Sequence, residues 1–374
     1  MNLRILYVTQ VRLDQPQGAA RHVIAVVREL AKLGHSILLV APSQADLQIP
    51  GVQAFEPRSS KPGMRMELAM VEALPNLVRN FQPDVALVRL SPSGFLGPQL
   101  LRALRVPVVV ELNGPTLDEL LAAGRPPKLV QGLGVVLRLA LRGVPVVAVS
   151  PTLARYAKVV FGSREVEVVE NGADLEQAQP WARPAARRHL GLPQEARILA
   201  FAGSFVPEQR FDLLFEAHRQ LEGTLLVLAG GGPQAPRVEA YAKELGPDRV
   251  RSLGVLSHAD AIALLSAADL AVDVREGHLG MKSRELLALG RRFVIFDFEG
   301  VDALARLYPG LQVVHAVREH SAPALRAALV EGLEAELRHG PVPEAARLTA
   351  RAELGWDRTA RQLAEILGRT ARPA

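Results

Sequence analysis

Two series of short apolar runs, each run followed by a helical pattern, constrain this chain more than any other feature. The first series holds Leu3–Thr9, Ser36–Ala41, Asp84–Arg89, Pro107–Leu112, Pro145–Ser150 and Glu165–Val169. It stops at a polar, proline-containing break, NGADLEQAQPWARPAARRHLGLPQEA (171–196). The second series holds Arg197–Ala202, Thr224–Ala229, Arg249–Leu253, Leu270–Val274, Phe293–Phe296 and Leu311–Val314. Continuous apolar runs of this length are strands buried on both faces, and the helices between them supply the covers. The pattern predicts an α/β protein: two Rossmann-like domains facing each other across a cleft, spanning 1–175 and 176–354. Ligands of such sheets bind at the carboxyl ends of strands, and with two domains the cleft is the expected site. The amphipathic stretch ELGWDRTARQLAEILGR (353–369) reads as a helix. Segment 355–374 is expected to return to the first domain, the alternative being a last helix of the second.

Composition excludes several classes. The chain has no cysteine, so disulfides and thiolate metal sites are ruled out. Its nine histidines show no metal-ligand spacing, and neither a metal nor a cofactor is expected. No apolar run reaches the roughly 18 uninterrupted residues of a membrane span. The nearest, Leu129–Val149, is broken by Arg138, Arg142 and Pro145. The opening MNLRILYVTQ runs straight into a strand pattern without leader features. A cytoplasmic location is expected, with peripheral contact at the inner membrane face. The net charge of +5 is uneven: Val85–Arg164 carries ten Lys/Arg against three Asp/Glu. Such a patch suits nucleic acid, an anionic membrane surface or an anionic substrate. At 5% aromatic residues, with no interleaving of rings and cations, nucleic acid is disfavoured.

The segment GMKSRELLALGRRFVIF (280–296) reads as a helix, closed by Gly290, running into a buried strand. Its first turn carries Lys282, although a helix N-terminus is itself partly positive. Either that turn is simply solvated, or backbone N–H groups and a cation converge on an anion. The first strand runs into TQVRLDQPQGAARHV (9–23), which is not GxGxxG, and its long loop suits a substrate cover more than a pyrophosphate clamp. Gly18 there allows a ligand close to the backbone. In ILAFAGSFVPEQRFDLLFEA (198–217), Gly203 follows a strand and Arg210 stands at a helix start, within reach of an anion. The three glycines of LVLAGGGP (226–233) read first as a turn.

In this order the segments resemble the family-four nucleotide-sugar glycosyltransferases of the GT-B fold. The resemblance runs through almost the whole chain: the first-loop glycine before a helix ending in LGH, VSPTLARY (149–156), VENGADL (169–175), AGSFVPEQRFDLL (202–214), LAGGGP, RVRSLGVLSHADAIALLSAADL (249–270), GMKSRELLALG and LGWDRTARQL (354–363). It implies a retaining, metal-independent hexosyltransferase. The donor is a UDP- or GDP-sugar, and the acceptor is a glycan, lipid-linked or other small molecule held by the N-terminal domain. It implies a catalytic set of Lys282, Arg210, Glu276 and Asn113. Donor binding falls to Gly18, Gly203, Ser204, Gln209, Gly254, Val255, Gly280, Met281, Ser283 and Glu285. Glu285 holds the ribose hydroxyls, since a carboxylate accepts two hydrogen bonds from a diol. Lys282 offsets the charge that develops on the departing diphosphate.

The chain also departs from the family. Ser204 and Gln209 stand where an arginine and a lysine usually grip the diphosphate. Glu276 and Glu285 have eight residues between them where seven are usual, and Asn113 replaces a histidine. Two readings follow. One is an active transferase whose cations have moved to Arg210, Lys282 and either Arg284 or Arg275. The other is a weakly active or inactive GT-B protein that binds nucleotide sugar or glycan as a scaffold. A nucleotide-sugar epimerase is disfavoured by the motif order, and a dehydrogenase by the missing GxGxxG.

Overall fold

The computed structural model describes every residue except 1, 15–17, 44–46, 60–62, 177, 276–280, 300 and 372–374. Thirteen strands are present among the described residues. They are β1 (Arg4–Val8), β2 (Ser36–Val40), β3 (Val52–Phe55), β4 (Val85–Arg89), β5 (Val108–Leu112), β6 (Val146–Ala148), β7 (Val166–Val168), β8 (Arg197–Ala202), β9 (Thr224–Ala229), β10 (Val250–Ser252), β11 (Leu270–Asp273), β12 (Phe293–Phe296) and β13 (Val314–Val317). They form two sheets, ordered β3-β2-β1-β4-β5-β6-β7 and β10-β9-β8-β11-β12-β13. Every pairing is parallel. The architecture is therefore two Rossmann-like α/β domains.

The chain divides into two compact units: Met1–Gly172 with Trp356–Ala374, and Ala173–Gly355. In the first, the helix Trp356–Ala371 is fixed by close contact. A side chain at Gly172 would lie 2.5 Å from the Trp356 Cα, so only glycine fits there. The Trp356 ring meets His22 edge-on at 5.3 Å between centroids, and Thr359 donates to the Glu170 carbonyl at 2.9 Å.

Three local differences from the sequence reading have physical causes. β3 was not foreseen: it is an edge strand with no fully buried residue and so carries no continuous apolar run. The last strand begins at Val314 rather than ending there. Gln312 sits at φ 48°, in the left-handed region, and the Leu311 N–H closes a turn onto the Tyr308 carbonyl. The polar break holds a helix, Arg183–His189. Its Arg187 is buried because it donates to the Ala267 carbonyl at 3.0 Å and to Asp269 at 2.9 Å.

In each sheet the strand order reverses once, between β1 and β4 and between β8 and β11. Crossover helices on either side of such a point run to opposite faces and leave a crevice at the carboxyl ends of the two strands.

Candidate functional site

In the second unit the residues that follow β8 and end β11 flank this reversal. Asp273 closes β11, and Lys282 lies on the first turn of the helix Met281–Leu289. The Lys282 Nζ sits 3.6 Å above the Phe201 ring centroid, a cation–π contact. It is 3.4 Å from Asp273 Oδ1. A Cβ at Gly203 would be 3.3 Å from that Nζ, so the bare backbone lets the ammonium lie against the β8 loop. The other oxygen of Asp273 accepts from the Ser283 hydroxyl at 2.5 Å. Lys282 Nζ and Asp273 Oδ1 are both buried, and neither has a hydrogen bond among the described residues. Burial pushes the Lys282 pKa down; Asp273 opposes that shift, and the neighbouring Arg275 adds to it. A buried ammonium without a hydrogen bond among the described residues is an uncommon and costly arrangement. Glu285, one turn along, is buried with Oε1 3.9 Å from the His258 Nε2.

The β8 loop is built on glycine. A Cβ at Gly230 would come within 1.8 Å of the Gly203 carbonyl oxygen, and one at Gly232 within 2.8 Å of the Phe205 carbonyl oxygen. The glycine triplet thus packs one loop backbone against another, which is the turn role that the sequence favours. Arg210 is committed: it forks onto Asp212 through Nε at 3.0 Å and Nη2 at 2.7 Å. This pairing is the main reason the Asp212 pKa is lowered. The Gln209 backbone forms an antiparallel bridge with Arg275. The Gln209 Oε1 and the Arg275 Nε are buried without hydrogen bonds among the described residues. Ser204 is exposed. Gly254 follows β10 at φ 65°, and Val255 beside it is 80% exposed. Met281 opens its helix, whereas Glu276 and Gly280 lie outside the described residues.

In the first unit Gly18 opens the helix Gly18–Lys32 and is exposed. Asn113 follows β5, and its Nδ2 is buried without a hydrogen bond among the described residues. Next to it on β5 is a network that the sequence reading did not include. Glu111, buried, accepts from Tyr7 Oη at 2.8 Å and faces His22 Nε2 at 2.7 Å. His22 Nδ1 meets Asn171 Oδ1 at 2.8 Å. Burial alone raises the Glu111 pKa, but His22, Arg89 and the Tyr7 hydroxyl outweigh it and hold the carboxyl at about 2. Burial, then the Glu111 charge, raise the Tyr7 pKa well above its ordinary value.

Both missed centres left a signal. Each is a carboxylate inside an otherwise apolar central strand, VVVEL for Glu111 and LAVD for Asp273. A doubly covered parallel strand buries such a group, and a buried charge requires a partner. Among the described residues no group of three or more His, Asp or Glu is placed to hold a metal ion.

The two sheets with their reversal points define a protein of the GT-B class. Residues 16–177 match the family model described as Glycosyltransferase Family 4, and residues 182–339 match that of Glycosyl transferases group 1. The chain belongs to the family-four glycosyltransferases. It is 35% identical over 148 residues to the D-inositol 3-phosphate glycosyltransferases of Mycobacterium tuberculosis and Mycobacterium bovis; that stretch is 38% of this chain and 31% of theirs. The match thus spans about a third of the length of those relatives. Among solved structures, sucrose-phosphate synthase of Thermosynechococcus elongatus superposes with TM-score 0.80 at 18% identity, over 98% of this chain and 99% of that one. A glycosyltransferase of Rickettsia africae gives 0.78 at 16% identity over 100% of both chains. The Anabaena protein HepE, solved with UDP-glucose, gives 0.74 at 18% identity over 98% and 100%. At these identities the structural likeness carries the fold alone.

Proposed function

We propose that this protein is a retaining glycosyltransferase that moves a hexosyl unit from a UDP- or GDP-sugar to a small, glycan or lipid-linked acceptor. The second unit holds the donor and the first unit holds the acceptor. The observation that carries the reading is the buried Lys282 ammonium, without hydrogen bonds among the described residues, beside a reversal point of the sheet. When the bond between the anomeric carbon and the diphosphate breaks, negative charge develops on the departing phosphate. An ammonium already fixed in a desolvated site lowers that barrier without reorganisation. Asp273 holds the lysine in place, and Glu285 accepts from the ribose hydroxyls.

Arg210 is engaged by Asp212, so we assign the second diphosphate cation to Arg275. Its backbone bridges Gln209, at the position where the family carries a lysine, and its Nε has no hydrogen bond among the described residues. We assign Asn113, whose Nδ2 is buried without a hydrogen bond among the described residues, to bind a sugar hydroxyl. Metal independence and location on the cytoplasmic side belong to the same reading, as does peripheral contact with anionic lipid. The helix Pro127–Ala140 leaves Leu129, Val135 and Leu139 mostly exposed along a face that also carries Lys128 and Arg138. Among the described residues no helix is long and apolar enough to cross a membrane.

The test is thermal unfolding with UDP, GDP, UDP-glucose and GDP-mannose, each with EDTA and with Mn²⁺. Ligand at 100 times its dissociation constant adds about 2.7 kcal/mol of stability. A shift with UDP or GDP species that survives EDTA, followed by transfer with retained anomeric configuration by NMR, supports the proposal. No shift with any nucleotide overturns it in favour of a scaffold without donor grip.

A further inference from the structure

The reversal point of the first sheet carries a pocket of about 820 Å³, lined by none of the candidate site residues drawn from the sequence. Its floor is the loop after β1 (Thr9, Gln10) and the end of β4 with its loop (Arg89–Ser93); its far wall comes from Leu120, Arg125, Leu129 and Leu133. The floor is pre-built. Gln10 donates to Glu67 Oε2 at 3.0 Å and accepts from the Gly63 N–H at 3.1 Å and the Ser93 hydroxyl at 3.0 Å. Glu67 Oε1 takes the N–H groups of Leu96 and Gly97 at 2.9 and 2.8 Å. One buried carboxylate and one amide thus tie three chain segments together around the opening, at Gln10, Gly63–Glu67 and Ser93–Gly97.

The lining has two characters. Nine of its sixteen residues are apolar, Phe95 and Leu90 among them, and none is acidic. Its cations are Arg89 and Arg125. Arg89 Nη1 is buried without a hydrogen bond among the described residues; its nearest carboxylate oxygen, on Glu111, is 3.9 Å away and already holds the Tyr7 hydroxyl. Ser91 Oγ is likewise buried and unbonded. A wholly hydroxylated sugar would leave the apolar wall unfilled, and a plain hydrocarbon would leave these donors unpaired.

We propose that this pocket takes an anionic amphiphile as acceptor, its apolar body against Phe95, Leu129 and Leu133 and its phosphate or carboxylate on Arg89, Arg125 and Ser91. The word acceptor rests on the function proposed above; the binding itself does not, because the probes require no donor.

The test is titration calorimetry on the whole protein with three probes, the two alkyl ones kept below their micellar concentrations. Octyl phosphate carries both features, octyl β-D-glucoside only the chain, and inorganic phosphate only the charge. Octyl phosphate is expected to bind at least tenfold more tightly than either of the others. Arg125 is exposed, so Arg125→Ala should fold normally and weaken octyl phosphate about tenfold while leaving octyl glucoside unchanged. Leu129→Asn, at a position 58% exposed, should weaken both alkyl probes. Equal affinity for octyl phosphate and either single-feature probe, or an Arg125→Ala protein that binds as the wild type, overturns the proposal. The UDP and GDP shifts are read separately, so failure here and failure of the donor reading are distinguishable. If octyl phosphate binds, pelleting with vesicles of phosphatidic acid against phosphatidylcholine separates a membrane lipid source from a soluble one.

Discussion

The two halves of this protein share one order over six strands, to which the first adds β7, and they treat the carboxylate of a central strand in opposite ways. In the first, Glu111 sits in the middle of the sheet with each oxygen engaged, by Tyr7 and His22, and His22 is held in turn by Asn171 and Trp356. In the second, Lys282 and Asp273 approach to 3.4 Å, yet the lysine forms no hydrogen bond among the described residues and one aspartate oxygen stays unbonded. A carboxylate whose oxygens are both engaged within the chain holds the fold and has no oxygen left for a ligand. An incomplete one, in a desolvated site, carries the desolvation cost without the full compensation, and a ligand supplies the missing bonds.

The sharpest way to break this contrast is to remove its satisfied side. Glu111→Ala leaves Arg89 and the His22 contact without their carboxylate, and removal of one partner from a buried charged set costs about 3–5 kcal/mol. Chemical denaturation should show that loss at neutral pH. The Glu111 carboxyl is held at about 2 against an ordinary 4.5, so its stabilisation is complete above 4.5 and disappears as pH falls toward 2. The variant should therefore lose part of the acid sensitivity of the wild type in that window. A neutral-pH loss below about 1 kcal/mol, the scale of an exposed ion pair, would place the network outside the fold's supports.

The unsatisfied side should behave in reverse. In the double variant Lys282→Met, Asp273→Asn, both charges go together, and the amide oxygen that replaces the carboxylate can still accept from Ser283; such replacements are often neutral or stabilising. Its Tm should stay within a few degrees, while turnover falls roughly 10²–10³-fold, as when a charge-stabilising donor is lost. The pH dependence sharpens this. Burial depresses the Lys282 pKa, so the wild type should lose affinity for UDP or GDP as pH rises, beginning below the ordinary lysine range, because the bound diphosphate requires the proton. Lys282→Arg should flatten that profile. A double variant that unfolds while keeping donor affinity would make Lys282–Asp273 a structural pair.

Between these in character is Gly230→Ala. Its new methyl would meet the Gly203 carbonyl at 1.8 Å, so the β8 loop must move. Overpacking of this kind costs about 1–3 kcal/mol. Both Tm and nucleotide affinity should fall, because the displaced loop lies against the Lys282 ammonium. Unchanged affinity with lowered Tm would separate the loop from the site.

Much of this was legible in the residues. The two series of apolar runs announce both parallel sheets, since a strand covered on both faces has no polar alternation to hide it. Edge strand β3 escaped for the same reason, as it has no fully buried residue. Lys282 was conspicuous because a cation at a helix start is electrostatically misplaced. What a linear reading cannot deliver is pairing. Whether Arg210 is available depends on the side chain of Asp212 two residues on, and that Arg275 lies beside Gln209 depends on a bridge across 66 positions of chain. The first-unit pocket was invisible because its walls come from segments spread between Thr9 and Leu133, each ordinary by itself.

The smallest effect tests whether Arg210 belongs with the satisfied or the unsatisfied charges. Asp212→Asn removes the carboxylate that the guanidinium forks onto, at the first turn of the helix Phe211–Arg219. Both side chains are partly exposed, so the pair is worth about 0.2–1 kcal/mol, with a further few tenths lost from the charge at the helix start. Tm should fall by only a few degrees. If Lys282 and Arg275 are the cations that grip the diphosphate, loss of the Arg210–Asp212 pair leaves UDP and GDP affinity within about threefold of wild type, which is less than 1 kcal/mol and within the range of an exposed charge. A gain of about tenfold in affinity, roughly 1.4 kcal/mol, would mean that Asp212 had been competing with a diphosphate for the same guanidinium. Arg210 would then join Lys282 as a charge whose proper partner is the ligand.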